Sequence, residues 1–264
     1  MPATCSARSS TWTRNAIVAA LLFANATPSW AQLRVMMSGG FSAAYRQVLP
    51  EFERESGITV TTISGASQGS GPETISAQLA RGVAADVVIL SRQGLRDLTG
   101  AGRILAESDV DLAQTPLGLA IRTGATKPDI STVERLKQAL LLAHTIAAPG
   151  STGGLYLTNE LLPRLELVDR LTVKLTARGS ESAALVASGE ATFAIQPVSE
   201  LLHLPGVEFV GVLPPDVQLV QVFAGAVLAG STNVEKARQL IAFLASNRAS
   251  AAISNNGMER LRVH

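Results

Sequence analysis

Short apolar runs alternate with amphipathic helical patterns along nearly all of this 264-residue chain, and few folds accept that rhythm. A run long enough for one strand, followed by a helix that crosses back over a sheet, is the unit of an α/β architecture with mostly parallel strands. The spacing predicts strands at 33–37, 58–63, 87–90, 117–121, 145–148, 171–175, 191–196 and 207–213, and another within 218–230. Helices are predicted at 42–56, around Ile75 and Leu79, and at 95–99, 131–142, 181–188, 197–204 and 234–245. A further helix follows residue 154, and a short helical stretch closes the chain. Gly57 and the glycines of GAGRI stand where helices should stop, because glycine tolerates the left-handed backbone of a helix end.

The rhythm breaks twice, near Gln114 and at Pro214-Pro215. We therefore expect two α/β lobes, one formed by residues 32–113 and completed by 218–264, the other by 114–217. Residues 1–31 stand apart. Arg8 and Arg14 precede an apolar run at 16–26, and Ser29-Trp30-Ala31 places a small residue at each end of a cleavage triplet. This is the layout of a secretory signal peptide, and the run is well short of the roughly 20 residues that span a bilayer. The expected product is a soluble protein exported to the periplasm and cut after Ala31.

Composition then removes several chemistries. Cys5 is the only cysteine and falls in the segment to be removed, so the mature chain has no disulfide, thiolate nucleophile or cysteine metal site. His144, His203 and His264 are too scattered for a metal cluster, and neither metal nor cofactor is expected. A net charge of +1 gives no reason to propose nucleic acid or an anionic membrane as partner. There is no phosphate-binding Gly-Lys-Ser motif and no Gly-x-Ser-x-Gly elbow, and the glycine spacing of GASQGSG does not fit a nucleotide loop.

What remains is a set of small-residue loops at the mouths of helices. Ser38-Gly39-Gly40 is the first, Ser67-Gln68-Gly69-Ser70 the second and Ser151-Thr152-Gly153 the third. Each can be a plain turn, since glycine supplies backbone angles other residues avoid. Each can also expose the free N–H groups of a helix start, where the helix dipole favours an anion. Ser91-Arg92 closes the clearest strand, and a guanidinium grips a carboxylate with two parallel hydrogen bonds. Gln196 ends another strand with an amide that can donate and accept. Tyr156, just inside the helix after the third loop, either walls a cleft or packs, whereas Tyr45 and Phe52 read as core.

The order of these segments is more specific than any one of them. A strand, a Ser/Gly turn and a helix, then SGITV, ASQGS and ARGVAADVVIL, and later GEATFAIQPVSELL and ARQLIAFLAS, resemble the type II periplasmic solute-binding proteins over most of the chain. Within them the chain resembles the molybdate-binding branch. SGGFSAAY, PDISTVE and VSELL are similar to that branch's aconitate isomerase relatives. The resemblance implies two lobes joined by two crossing strands, with a small anion held in the cleft by loops at the carboxyl ends of strands. It also implies a monomer that hands its ligand to an ABC-type transporter. Gly40 stands where that branch has a hydroxyl residue, and Ile195-Gln196-Pro197 where it has a tyrosine. Those departures favour a di- or tricarboxylate such as aconitate or citrate over molybdate or tungstate.

Two functions stay open. The first is a receptor, the primary reading, because no catalytic set is readable. The second is an aconitate isomerase, which moves an allylic proton and needs a positioned base. Glu181 and Glu200 are the candidate bases and His203 the third titratable group near the expected cleft; solvated surface charge is the plain alternative for each.

Overall fold

The structure, a computed structural model, describes residues 32–261 together with Met1 and Ala3. The expected cleavage point and almost all of the expected signal peptide, like His264, lie outside the described residues.

β1 (Gln32–Met37) buries Leu33, Val35, Met36 and Met37, the near-continuous burial of a strand covered on both faces. It lies parallel to β2 (Thr59–Ser64) and to β3 (Val87–Ser91). Between β1 and β2 runs α1 (Gly39–Ser56), whose Phe41, Ala44, Tyr45, Val48 and Phe52 form one apolar stripe against the sheet. Each large side chain so buried contributes about 1.5–3 kcal/mol. Gly57 ends α1 in the left-handed conformation, with its N–H donating to the Glu53 carbonyl. α2 (Ile75–Ala80) and α3 (Arg92–Gly100) flank β3.

β4 (Val110–Arg122) is the longest strand and organises the rest. Its first part, Val110–Pro116, runs antiparallel to β9 (Val220–Val227). Its second part pairs with β7 (Phe193–Pro197) and β8 (Val207–Val212). Beyond β4 come α4 (Val133–Ala143), β5 (Thr145–Pro149), α5 (Thr152–Tyr156), α6 (Leu162–Arg164), β6 (Thr172–Thr176) and α7 (Gly179–Ser188). α8 (Val234–Ala245), α9 (Ser250–Asn255) and β10 (Glu259–Arg260) complete the chain. The strand order β2-β1-β3-β9-β4-β7-β5-β6 is one hydrogen-bonded path, because β4 serves both halves.

The side chains nevertheless separate into distinct cores. One gathers Leu33, Phe41, Tyr45, Ile89, Phe223 and Leu240 from β1, α1, β3, β9 and α8. Another gathers Leu117, Leu140, Ile146, Leu161 and Ile195 around β5 and β7. We refer to the halves around these cores as the first and second lobes.

Two expected elements differ. β4 begins at Val110 rather than at 117, because polar Asp111, Gln114 and Thr115 and the helix-breaking Pro116 mask a strand that leaves one core for the other. The helix expected at 197–204 is a single 3-10 turn, Val198–Glu200. Its apolar residues suit a helix, but Leu204 precedes Pro205, and His203 takes a positive φ of 65°. That broken segment returns below. No described helix is long and apolar enough to cross a membrane.

Candidate functional site

A cleft of about 710 Å³ opens between the lobes, at the carboxyl ends of β1, β2, β5, β6 and β7. Met37, Ser64, Pro149, Ala177 and Pro197, at or just beyond those strand ends, all line it. This is where open α/β sheets place ligands, since the strands end there and helices begin.

The first-lobe wall starts with Ser38, the cap residue of α1. Its N–H donates to the Ile89 carbonyl at 2.9 Å, which fixes the turn. Its hydroxyl does not cap the helix, and Ser38 Oγ is buried with no hydrogen-bond partner in the structure. Gly39, Ser42, Ala43, Arg46 and Leu49 continue the wall along α1. Tyr45 is fully buried, yet its edge also reaches the cleft. Its phenol lies 3.1 Å from the Thr62 hydroxyl, and burial pushes its pKa up to about 12, so it stays neutral.

The second-lobe wall is the start of α7, where Arg178, Gly179 and Ser180 line the cleft, with the broken segment Ser199–Leu204 beside it. Glu200 lies between the two walls. A β-carbon on Gly39 would stand 2.6 Å from its Oε1, and one on Gly179 would fall inside contact distance of its Oε2. Glycine at both helix starts leaves this carboxyl room in its present position. Desolvation raises the Glu200 pKa to about 7, because the charged form has lost water there. The Gln196 side chain holds the segment in place by donating to the Glu200 carbonyl at 2.7 Å.

Further polar atoms around Glu200 are unpartnered. Ser199 Oγ and Gln221 Oε1, both in residues that line the cleft, and Gln196 Oε1 beside it are buried without hydrogen bonds. Buried polar groups are almost always paired, so several orphans around one cavity mark a place where a polar ligand completes the set.

Not all candidate residues reach this cleft. Ser38, Gly39, Ser67, Ser151, Gly153 and Glu200 line it, with His203. Gly40 does not, because its Cα packs against the Phe223 ring. Gln196 stands behind Glu200 with its amide nitrogen committed. Gln68, Gly69 and Ser70 line a smaller hollow next to the cleft. Ser91 and Thr152 are joined instead, their hydroxyls 2.7 Å apart across the lobes. Thr152 donates onward to Gln68 Oε1 at 3.0 Å, so Ser91 is the donor to Thr152. Gln68 N–H donates to Ser151 Oγ at 3.3 Å. These residues form a seam between the lobes.

Arg92 points away from the cleft, its guanidinium gripped by Asp109 and Asp111. The sequence shows a strand-end arginine but not the acidic pair that folds back on it. Tyr156 packs with the second core and donates to the Val217 carbonyl at 2.8 Å. Glu181 accepts from the Ala177 N–H at 3.1 Å in the turn before α7 and does not line the cleft. Sequence reasoning missed Arg46, Arg178, Ser199, Gln221 and Asn256, which all line it. Among the described residues no cluster of histidine, cysteine and carboxylate side chains could hold a metal ion.

Comparison with known proteins agrees with this architecture. Residues 33–259 match the family model described as bacterial extracellular solute-binding protein. An aconitate isomerase from Pseudomonas sp is 36% identical over 228 residues, covering 86% of this chain and 87% of that protein. The periplasmic molybdate-binding protein of Azotobacter vinelandii superposes with a TM-score of 0.65 at 18% identity, over 88% of this chain and 100% of that one. The sulfate-binding protein SubI of Mycobacterium tuberculosis H37Rv does so with a TM-score of 0.70 at 17% identity, over 88% and 87%.

Proposed function

The chain belongs to the bacterial extracellular solute-binding protein family, and from that premise we propose that it is a periplasmic aconitate isomerase whose base is Glu200. The observation that carries this reading is the Glu200 carboxyl itself, desolvated against Gly39 and Gly179 in the cleft, with a pKa raised to about 7. In a receptor, the ionised form of a part-buried carboxyl facing the cleft would repel the bound anion. A proton-transfer enzyme gains a base whose pKa matches neutral pH. The 36% identical relative bearing that activity's name supports the choice of substrate.

The reaction is balanced within the substrate. Glu200 takes a proton from the methylene carbon of cis-aconitate, and the electron pair of that C–H bond becomes the new carbon–carbon double bond. The electrons of the old double bond move onto the substrate's former vinylic carbon and its carboxylate. Returning the proton to that carbon gives trans-aconitate and restores Glu200. The developing charge is spread over carboxylate oxygens, and on this reading the N–H groups at the starts of α1 and α7 and the guanidiniums of the cleft-lining Arg46 and Arg178 stabilise it. Following cis-aconitate by proton NMR with the purified protein tests the reading; conversion to the trans isomer supports it.

The second reading is a receptor that captures the acid unchanged for an ABC-type transporter. The family match supports it, because solute binding is what that family is described by. Stoichiometric binding of aconitate with no turnover would decide for it.

A further inference from the structure

Arg46 and Arg178 face the same cleft from opposite lobes, both exposed, and neither takes part in an ion pair among the described residues. Arg92, by contrast, is held outside the cleft by Asp109 and Asp111, so Arg46 and Arg178 are the arginines that line it. Arg46 stands seven residues beyond Gly39 on the cleft-facing stripe of α1, about two turns and roughly 10 Å along the axis. Helical side chains lean toward the N-terminus, so its side chain points along the cleft in the direction of the Ser38–Gly39 start. Arg178 immediately precedes Gly179, beside the start of α7. Each lobe thus pairs one guanidinium with the N-terminal end of a helix of ten residues or more. The unpartnered and buried Ser38 Oγ, Ser199 Oγ and Gln221 Oε1 supply the independent sign that something polar fits between them.

We propose that Arg46 and Arg178 set the specificity of the cleft for a tricarboxylate, by holding carboxylates of one acid from both lobes at once. The proposal rests on the isomerase reading only for the choice of acid. Glu200 and Glu73 are the carboxylates that also line the cleft, and a small acid must outweigh their repulsion. A dicarboxylate that gives one carboxylate to a lobe's guanidinium and the other to that lobe's helix start has none left for the other lobe's arginine. A third carboxylate engages both lobes, and each charge-assisted contact multiplies affinity by about 10- to 150-fold.

Isothermal calorimetry of the full chain with trans-aconitate and with the dicarboxylate fumarate tests this. The native protein is expected to bind trans-aconitate at least about 10-fold more tightly than fumarate. In R178M that preference should fall to within about 3-fold, mostly through loss of trans-aconitate affinity, and R178K should recover part of it. R46M should weaken the tricarboxylate in the same range. Both arginines are exposed, so a melting curve like that of the native protein certifies the fold. Native-like trans-aconitate affinity in R46M or R178M, or an equal loss of both acids in R178M, would overturn the proposal. Because the readout is binding, a native protein that binds but does not turn over defeats the isomerase reading and leaves this one intact.

Discussion

The Glu200 carboxyl rests so close to Gly39 that a β-carbon there would stand 2.6 Å from Oε1. The contact joins the start of α1 in the first lobe to the broken segment of the second. In Gly39→Ala the intruding methyl meets the free end of a flexible side chain, which can swing aside at small cost to the fold. Turnover of aconitate should fall by at least about 10-fold, because a misplaced base loses much of its advantage, while the melting temperature stays near native. Gly40→Ala differs, since its methyl would run into the buried Phe223 ring. That change should cost about 1–3 kcal/mol in denaturant unfolding.

Glu200 also makes the fold sensitive to pH. Its pKa rises from 4.5 to about 7 on folding, so between those values the folded chain binds more protons than the unfolded one. This contribution to stability is present in full below about 4.5 and is lost as pH rises through about 7. Glu200→Gln should therefore raise stability at pH 8 by about 1–3 kcal/mol and flatten the dependence between pH 5 and 8, read from chemical denaturation. The same change should abolish turnover. On the isomerase reading, activity of the native protein should climb with pH through about 7, as the carboxyl ionises to its basic form.

The periodicity of the sequence held most of this fold, since strands buried on both faces and one-sided helices leave distinct patterns. What it lacked were elements that serve two cores at once. Val110–Pro116 mixes polar and apolar residues because β4 passes from one core to the other. The Ser38-Gly39 turn could be read as a helix mouth open to an anion, and it does line the cleft. Arg46 could not be read, because an exposed arginine on an amphipathic helix looks the same whether it faces a cleft or bulk water. Glu200 was one acid among several until the broken segment placed it between two glycines on distant helices.

Arg92, the strand-end arginine, separates placement from appearance. Asp109 and Asp111 hold it outside the cleft, on a partly exposed surface. Arg92→Ala should lower stability by about 1 kcal/mol and leave trans-aconitate affinity unchanged by calorimetry.

A seam of hydroxyl and amide groups also ties the two lobes together. Ser91 donates to Thr152, and Thr152 to Gln68, in a chain of hydrogen bonds that crosses from one lobe to the other. Thr152→Val keeps the shape but strands the buried Ser91 hydroxyl and the Gln68 carbonyl, at a cost to the closed form of about 1–3 kcal/mol. Small-angle scattering of the ligand-free variant should show a larger radius of gyration than native, and its affinity for trans-aconitate should drop correspondingly.

Proton transfer by Glu200 is the central claim, and isotope uptake tests it most directly. Native protein and Glu200→Gln are each incubated with cis-aconitate in heavy water near pD 7.5, and the acid is followed by NMR. Native protein should produce trans-aconitate with deuterium at the carbon that receives the proton, to the extent that the Glu200 carboxyl exchanges with solvent before returning it, while the variant binds the acid and leaves it unchanged. Turnover at the native rate in Glu200→Gln, or no conversion by the native protein at any pH, would contradict it.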